Sequence, residues 1–171
     1  MKKTEKASIA HFYSLIKEII DTEDFRKMMS YRHHIKSNTY EHSIKVAYLC
    51  YRYHAGHRSR VSLSELLRAA LLHDFFLYDH HDKENGFGLS GIRHIMKHPS
   101  HAERNAQRAY VNLTDTERNA IRRHMFPLIP IPPTTRCGWL VCFYDKVASF
   151  SDLCCKNRYK ELFDVCGAEN V

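Results

Sequence analysis

The 171-residue sequence contains no apolar run near the roughly 20 residues that cross a bilayer, so no membrane contact is expected. It also lacks the pattern of a cleavable leader. Lys2 and Lys3 suit a signal peptide's basic start, but Glu5, His11, Lys17 and Glu18 interrupt the apolar stretch behind them. No small-residue cleavage site follows, and a cytoplasmic protein is expected. Neither CxxC nor another zinc-ribbon spacing occurs among Cys50, Cys137, Cys142, Cys154, Cys155 and Cys166. Reduced thiols in or near a core are therefore expected in place of disulfides or a structural zinc site. There is no internal repeat, low-complexity tract or interdomain linker. No nucleic-acid-binding motif accompanies the net charge of +7. Apart from a loop group of Arg52, His57, Arg58 and Arg60, the basic residues are scattered like a solvated surface, so nucleic acid is not an expected partner.

What is present reads as helix almost throughout. A hydrophobic content of 44% and a charged content of 26% suit one globular domain with a proper core. Ile9, Phe12, Tyr13, Leu15, Ile16, Ile19 and Ile20 recur at spacings of three and four, the period of an amphipathic helix. A short helix is expected from Glu23 to about Tyr31. The next, capped by Ser37, Asn38 or Thr39, carries the stripe Tyr40, Ile44, Ala47, Tyr48 and Tyr51 and ends near Gly56. Ser62 or Ser64 opens a helix containing the run from Leu66 to Leu72. Tyr78 to Ser90 is polar with two glycines and reads as a loop. Gly91 to Lys97 is expected to form a short helical turn, with Pro99 in the first turn of a new helix. Thr114 and Glu117 form a capping-box pattern. Pro127 to Thr135 predicts a stiff extended connection, because prolines remove backbone donors. An apolar helix from about Gly138 to Asp152 and a short one from Arg158 to Cys166 follow. The expected fold is all-α: N-terminal helices over 1–36, a central bundle over 37–153 and a C-terminal helix over 154–171, packed as one domain.

Histidine is the compositional outlier, with 13 residues. His73 and Asp74 end the apolar run Leu66 to Leu72, where charged groups are rarely buried unless paired or bound to a metal. His42 lies early on the preceding helix. His98 directly precedes Pro99, His124 directly precedes the proline segment, and Asp145 lies within an apolar helix where an inward carboxylate needs a partner. Antiparallel packing can bring such side chains together in a bundle core. Imidazoles with carboxylates suit first-row transition metals, and a carboxylate can bridge two ions, which a single imidazole cannot.

The ordered pattern His42, His73-Asp74, His98, His124, Asp145 resembles the HD-domain superfamily of metal-dependent phosphohydrolases over roughly residues 38 to 152. The resemblance implies an HD-type bundle with its metal site in the core. It implies a first metal site of His42, His73, Asp74 and Asp145, and a second of His98, His124 and the bridging Asp74. It also implies two divalent transition-metal ions (Fe, Mn, Zn, Ni or Co). The implied activity is hydrolysis of a phosphoester or phosphoanhydride through a metal-activated water, with His73 and Asp74 as catalytic residues. The implied substrate is small, anionic and phosphorylated, with nucleotides the leading class. Some HD-fold proteins with a similar ligand set are instead mixed-valent di-iron oxygenases, and a non-catalytic metal- or nucleotide-binding role is a further alternative. The chain departs from many members at Leu77, where they carry lysine, and it lacks the GYP motif of cyclic-dinucleotide phosphodiesterases.

Around this set, His94 is the rival of His98. Lys146, His34, His80 and Arg123 are candidate substrate contacts, Lys146 because it adjoins Asp145 and Arg123 because it precedes His124. Lys83 and His81 share the loop with His80. Phe75, Phe76 and Tyr144 read as core.

Overall fold

The computed structural model describes residues 3–34, 37–57, 59–77, 90–110, 112–154 and 159–167, without the side chains of 3–4, 32–34, 37, 90–94 and 152–154. The helices are α1 (Lys3–Ile20), α2 (Glu23–Arg26), α3 (Thr39–Gly56), α4 (Leu63–Leu72), α5 (Ser90–Ala109), α6 (Asp115–Arg123), α7 (Arg136–Cys154) and α8 (Lys160–Val165). The fold is all-α. Its only extended pairing among the described residues is a short antiparallel ladder between β1 (Arg32–His34) and β2 (Ser37–Asn38), just before α3.

Local chemistry sets the helix starts. Asn38 caps α3 by accepting from the Glu41 amide at 2.8 Å, and Ser62 caps α4 through the Glu65 amide. At α6 the capping box is complete: the Glu117 amide donates to Thr114 Oγ1 at 3.2 Å, and the Thr114 amide donates to Glu117 Oε2 at 2.8 Å. Each such cap contributes about 1 kcal/mol and fixes where the helix begins.

Four expectations need correction. Leu15 belongs to the α1 stripe by spacing but is exposed, while Ile9, Phe12, Ile16 and Ile20 are buried. The segment from Glu23 is one α-helical turn followed by a 3₁₀ turn over Lys27–Ser30, not one helix to Tyr31. No break occurs at His98: α5 runs continuously through Pro99. Proline removes one intrahelical donor, but the rest of α5 is held by packing on α6, and tertiary contacts outweigh the local penalty. The proline segment is not extended throughout. Its first part is a hydrogen-bonded turn, with the Ile129 amide donating to Met125 O at 3.1 Å. The later part, 131–134, has no regular structure and is tied down by Asn119, which exchanges hydrogen bonds with Thr134.

α4 lies at the centre, packed on α3, α6 and α7, with α1 and α5 also against it. Leu66, Leu67 and Ala69 to Leu72 are all buried, and each large apolar side chain removed from water contributes about 1.5–3 kcal/mol. One continuous core runs from Ile9 in α1 to Cys166 after α8. Phe12 packs its ring on Tyr48 and Tyr51 of α3. The Tyr40 hydroxyl donates to the Cys166 carbonyl at 2.7 Å, fastening the C-terminal helix to α3. Gly138 lets α7 start hard against the proline connection, since a Cβ there would stand 2.9 Å from the Pro133 side chain. Cys50, Cys137, Cys142 and Cys166 are free and buried. Burial pushes the thiols of Cys137 and Cys166 up to about 12, so they stay protonated. Among the described residues no helix is long and apolar enough to cross a membrane.

Candidate metal centre

α3, α4, α5, α6 and α7 each deliver at least one polar side chain to a single point beside the C-terminal end of α4. His42 comes from the first turns of α3. His73 is the C-cap of α4 and Asp74 follows it, so both leave the helix where its backbone turns away. His98 comes from α5, His124 is the C-cap of α6, and Asp145 comes from the inner face of α7. All six are between 0% and 6% exposed. Six titratable groups so buried would destabilise the bundle heavily unless they satisfied one another or a cation.

The six divide into two trios. The ligand atoms of His42, His73 and Asp145 all lie within 4.8 Å of one another, and so do those of Asp74, His98 and His124. Asp74 joins them, because its two oxygens face opposite ways. Oδ2 stands 3.6 Å from His73 Nε2 and 4.0 Å from His42 Nε2, while Oδ1 stands 3.3 Å from His98 Nε2 and 3.4 Å from His124 Nε2. A carboxylate with one oxygen toward each trio is placed as a bridge.

The imidazoles are oriented from behind. His73 Nδ1 donates to the Ala70 carbonyl at 2.7 Å, and His124 Nδ1 donates to the Ile121 carbonyl at 2.7 Å. Each carbonyl only accepts, so the ring hydrogen sits on Nδ1 and the Nε2 lone pair points into the cluster. His73 Nε2 is buried with no hydrogen-bond partner among the described residues. His98 Nε2 approaches His124 Nε2 to 2.9 Å, so a single hydrogen lies between two nitrogens that could both ligate a cation. A lone pair stranded in a buried cluster, beside imidazoles fixed by backbone carbonyls, is the arrangement expected of a metal site. The donor set of imidazole nitrogen and carboxylate oxygen fits divalent transition-metal ions.

Charge follows the same geometry. Burial alone would raise the Asp145 carboxyl. The His42 hydrogen bond at 3.0 Å, the neighbouring His73 imidazole and the Lys146 ammonium outweigh it and hold the group well below the usual carboxylate range. Asp145 Oδ1 faces His42 and His73, and Oδ2 accepts from Lys146 Nζ at 2.8 Å. Burial pulls His124 down to about 4, against the opposing pull of Asp74, so its imidazole is neutral near pH 7.

The structure thus brings all six expected ligands together. His98, on the continuous α5, is the histidine in the cluster, and the side chain of its rival His94 lies outside the described residues. Lys146 is at the centre, but its ammonium is engaged by Asp145 and by the His124 carbonyl. Arg123 donates to the Pro132 carbonyl at 3.0 Å, which ties it to the proline connection. His80, His81 and Lys83 lie outside the described residues, as does the side chain of His34. Leu77 packs partly buried against the core, and Phe75 and Phe76 are buried as expected.

Three positioning residues escaped sequence reasoning. Glu103 of α5, 7% exposed, accepts from Arg118 Nε at 3.1 Å and lies 3.6 Å from Arg122 Nε, both on α6. Asn105 Nδ2 donates to the Phe75 carbonyl at 3.1 Å, fastening α5 to the chain just beyond Asp74. Asn119 holds the connection between α6 and α7. The signal was weak: a Glu and two Asn on polar helix faces carry no spacing that separates a clamp from a solvated residue.

No curated protein and no solved structure matches the chain. Residues 39–149 match the HD domain family. That span contains all six buried residues that could hold metal, and the chain belongs to the HD-domain family.

Proposed function

We propose that this protein is a metal-dependent phosphohydrolase that cleaves a phosphoester or phosphoanhydride in a small anionic substrate, with nucleotides as the leading class. The observation that carries the reading is the Asp74 carboxylate, with Oδ1 toward His98 and His124 and Oδ2 toward His42 and His73. Two divalent transition-metal ions bound there (Fe, Mn, Zn, Ni or Co) would polarise a water and offset charge on phosphate oxygens. The chain's own residues supply the rest. Asp74 sets the spacing of the two trios. The Ala70 and Ile121 carbonyls keep the His73 and His124 lone pairs aimed inward. Lys146 keeps Asp145 ionised and oriented, and Phe76, edge-on to His98, shields that imidazole from bulk water. The net charge of +7 favours an anionic substrate over a cationic one.

The test combines metal analysis of anaerobically purified protein with a nucleotide and phosphoester panel in Mn, Fe, Co and Ni. Two ions per chain and phosphate release without oxygen, both lost in Asp74→Ala, are the expected results. A product that forms only with oxygen uptake and a di-iron EPR signal would instead assign the centre to oxidative cleavage. Metal binding with no turnover across the panel would leave a binding role and overturn the hydrolase reading.

A further inference from the structure

α7 is apolar on both faces, and the described residues cover only one. Its inner face, with Cys137, Val141, Ala148 and the ligand Asp145, is buried against the bundle. On the opposite side Trp139, Phe143, Val147 and Phe150 recur at spacings of four, four and three, and form one stripe along the helix. They are 46%, 60%, 37% and 69% exposed. An outer helix face is ordinarily polar, and a helix that is apolar all round is ordinarily covered all round. The stripe continues at its Trp139 end, where the Phe126 ring packs edge-on at 5.4 Å. The exposed Leu128 and Ile131 lie in the same connection.

We propose that the outer face of α7 is a homodimer interface, in which Trp139, Phe143, Val147 and Phe150 pack against the same stripe of a second copy. Area supports this. An aromatic side chain offers roughly 200 Å², so the four exposures leave on the order of 450 Å² of apolar surface on one helix. That is more than half of the about 800 Å² per partner that a stable interface buries, and it would form the apolar centre.

Charge does not oppose a second copy. Between Arg136 and Ser151, the only charged residues of α7 are Asp145, which faces inward, and Lys146, which is held by Asp145 and the His124 carbonyl. Lys146, its side chain 37% exposed, is therefore the one charge beside the stripe, and its ammonium is turned to Asp145 and the His124 carbonyl instead of outward. Among the described residues this single lysine is not the basic rim that draws an anionic membrane. A two-fold axis at the middle of the stripe makes the two α7 helices antiparallel, the isologous arrangement of most homodimers. Arg136 at the start of one α7 then meets the last turn of the other, where the helix dipole is negative.

Trp139 is the only tryptophan in the chain, so its fluorescence reports the stripe directly. Sedimentation at micromolar concentrations should give twice the 20.2 kDa chain mass, with Trp139 emission moving to the red on dilution. Phe143→Asp should weaken self-association roughly thirty-fold or more, the size of an interface hot spot, and should give red-shifted emission at all concentrations. Its helical circular dichroism and metal content should stay unchanged, because the position is exposed. Leu15→Asp, on an exposed α1 position, should leave the mass unchanged. Three results would overturn the proposal: a single-chain mass throughout the micromolar range, a dimer that survives Phe143→Asp combined with Phe150→Asp, or a monomer whose Trp139 shifts to the blue only with anionic vesicles.

Discussion

The two halves of the centre are built to different standards. His42, His73 and Asp145 come from α3, α4 and α7, three helices packed mutually in the middle of the bundle. They include a carboxylate of their own, which Lys146 holds from outside. Asp74, His98 and His124 have only the shared carboxylate, and two of the three come from α5 and α6. α5 is fixed chiefly by α6, through the Glu103 clamp, and by Asn105 on the Phe75 carbonyl. Equal numbers of candidate ligands therefore do not mean equal surroundings. The first trio has more negative charge and a more rigid frame, so it should hold an ion more tightly; the second is the half that loosens first.

Asp74→Ala gives the largest expected effect, because it removes an oxygen from both trios. Metal analysis should find both ions lost and no activity, while Asp74→Asn should retain the fold by circular dichroism. Next, His98→Ala should bring bound metal from two ions per chain toward one, and His42→Ala should deplete the tighter site instead. If calorimetric titration showed the same single loss for both variants, the proposed asymmetry would be wrong. A smaller effect is expected behind the ligands. Glu103→Ala should weaken only the second site, by about 10–100-fold, the usual scale for residues that orient ligands. Lys146→Met should weaken the first by a similar factor, and a swap of those outcomes would reverse the comparison.

The smallest effect concerns pH in the chelated protein. The folded His124 titrates at about 4, below its ordinary 6.5, so between those values the unfolded chain binds a proton that the folded chain does not. Its contribution is fully present above pH 6.5 and is lost as pH falls toward 4. Asp145, held below its ordinary 3.8, acts in the same sense at still lower pH. The melting temperature should fall by several degrees from pH 6.5 to 4, and His124→Gln should flatten that limb. A flat wild-type curve would count against a neutral, buried His124.

Much of this was legible in the chain because the underlying physics is local. The stripe of Tyr40, Ile44, Ala47, Tyr48 and Tyr51 marked the buried face of α3, and Thr114 with Glu117 marked the start of α6. The six candidate ligands stood out as imidazoles and carboxylates in a fixed order, not as lone charges, since Arg68 also interrupts α4 and Lys45 is also buried in α3. The misses share a cause. Pro99 carries a strong local penalty that α6 packing overrides, and Leu15 fits the helical period yet points where no neighbour covers it. Glu103, Asn105 and Asn119 acquire their roles only from what faces them.

The sequence by itself determined the helices, most of their boundaries and the six side chains able to bind metal, because period, capping chemistry and residue type act over a few positions. Only the tertiary structure decided how those six divide, that Asp74 turns one oxygen to each trio, and that the described residues leave an apolar face of α7 uncovered. Those properties depend on distances between residues as far apart as His42 and Asp145, which packing alone brings to 3.0 Å.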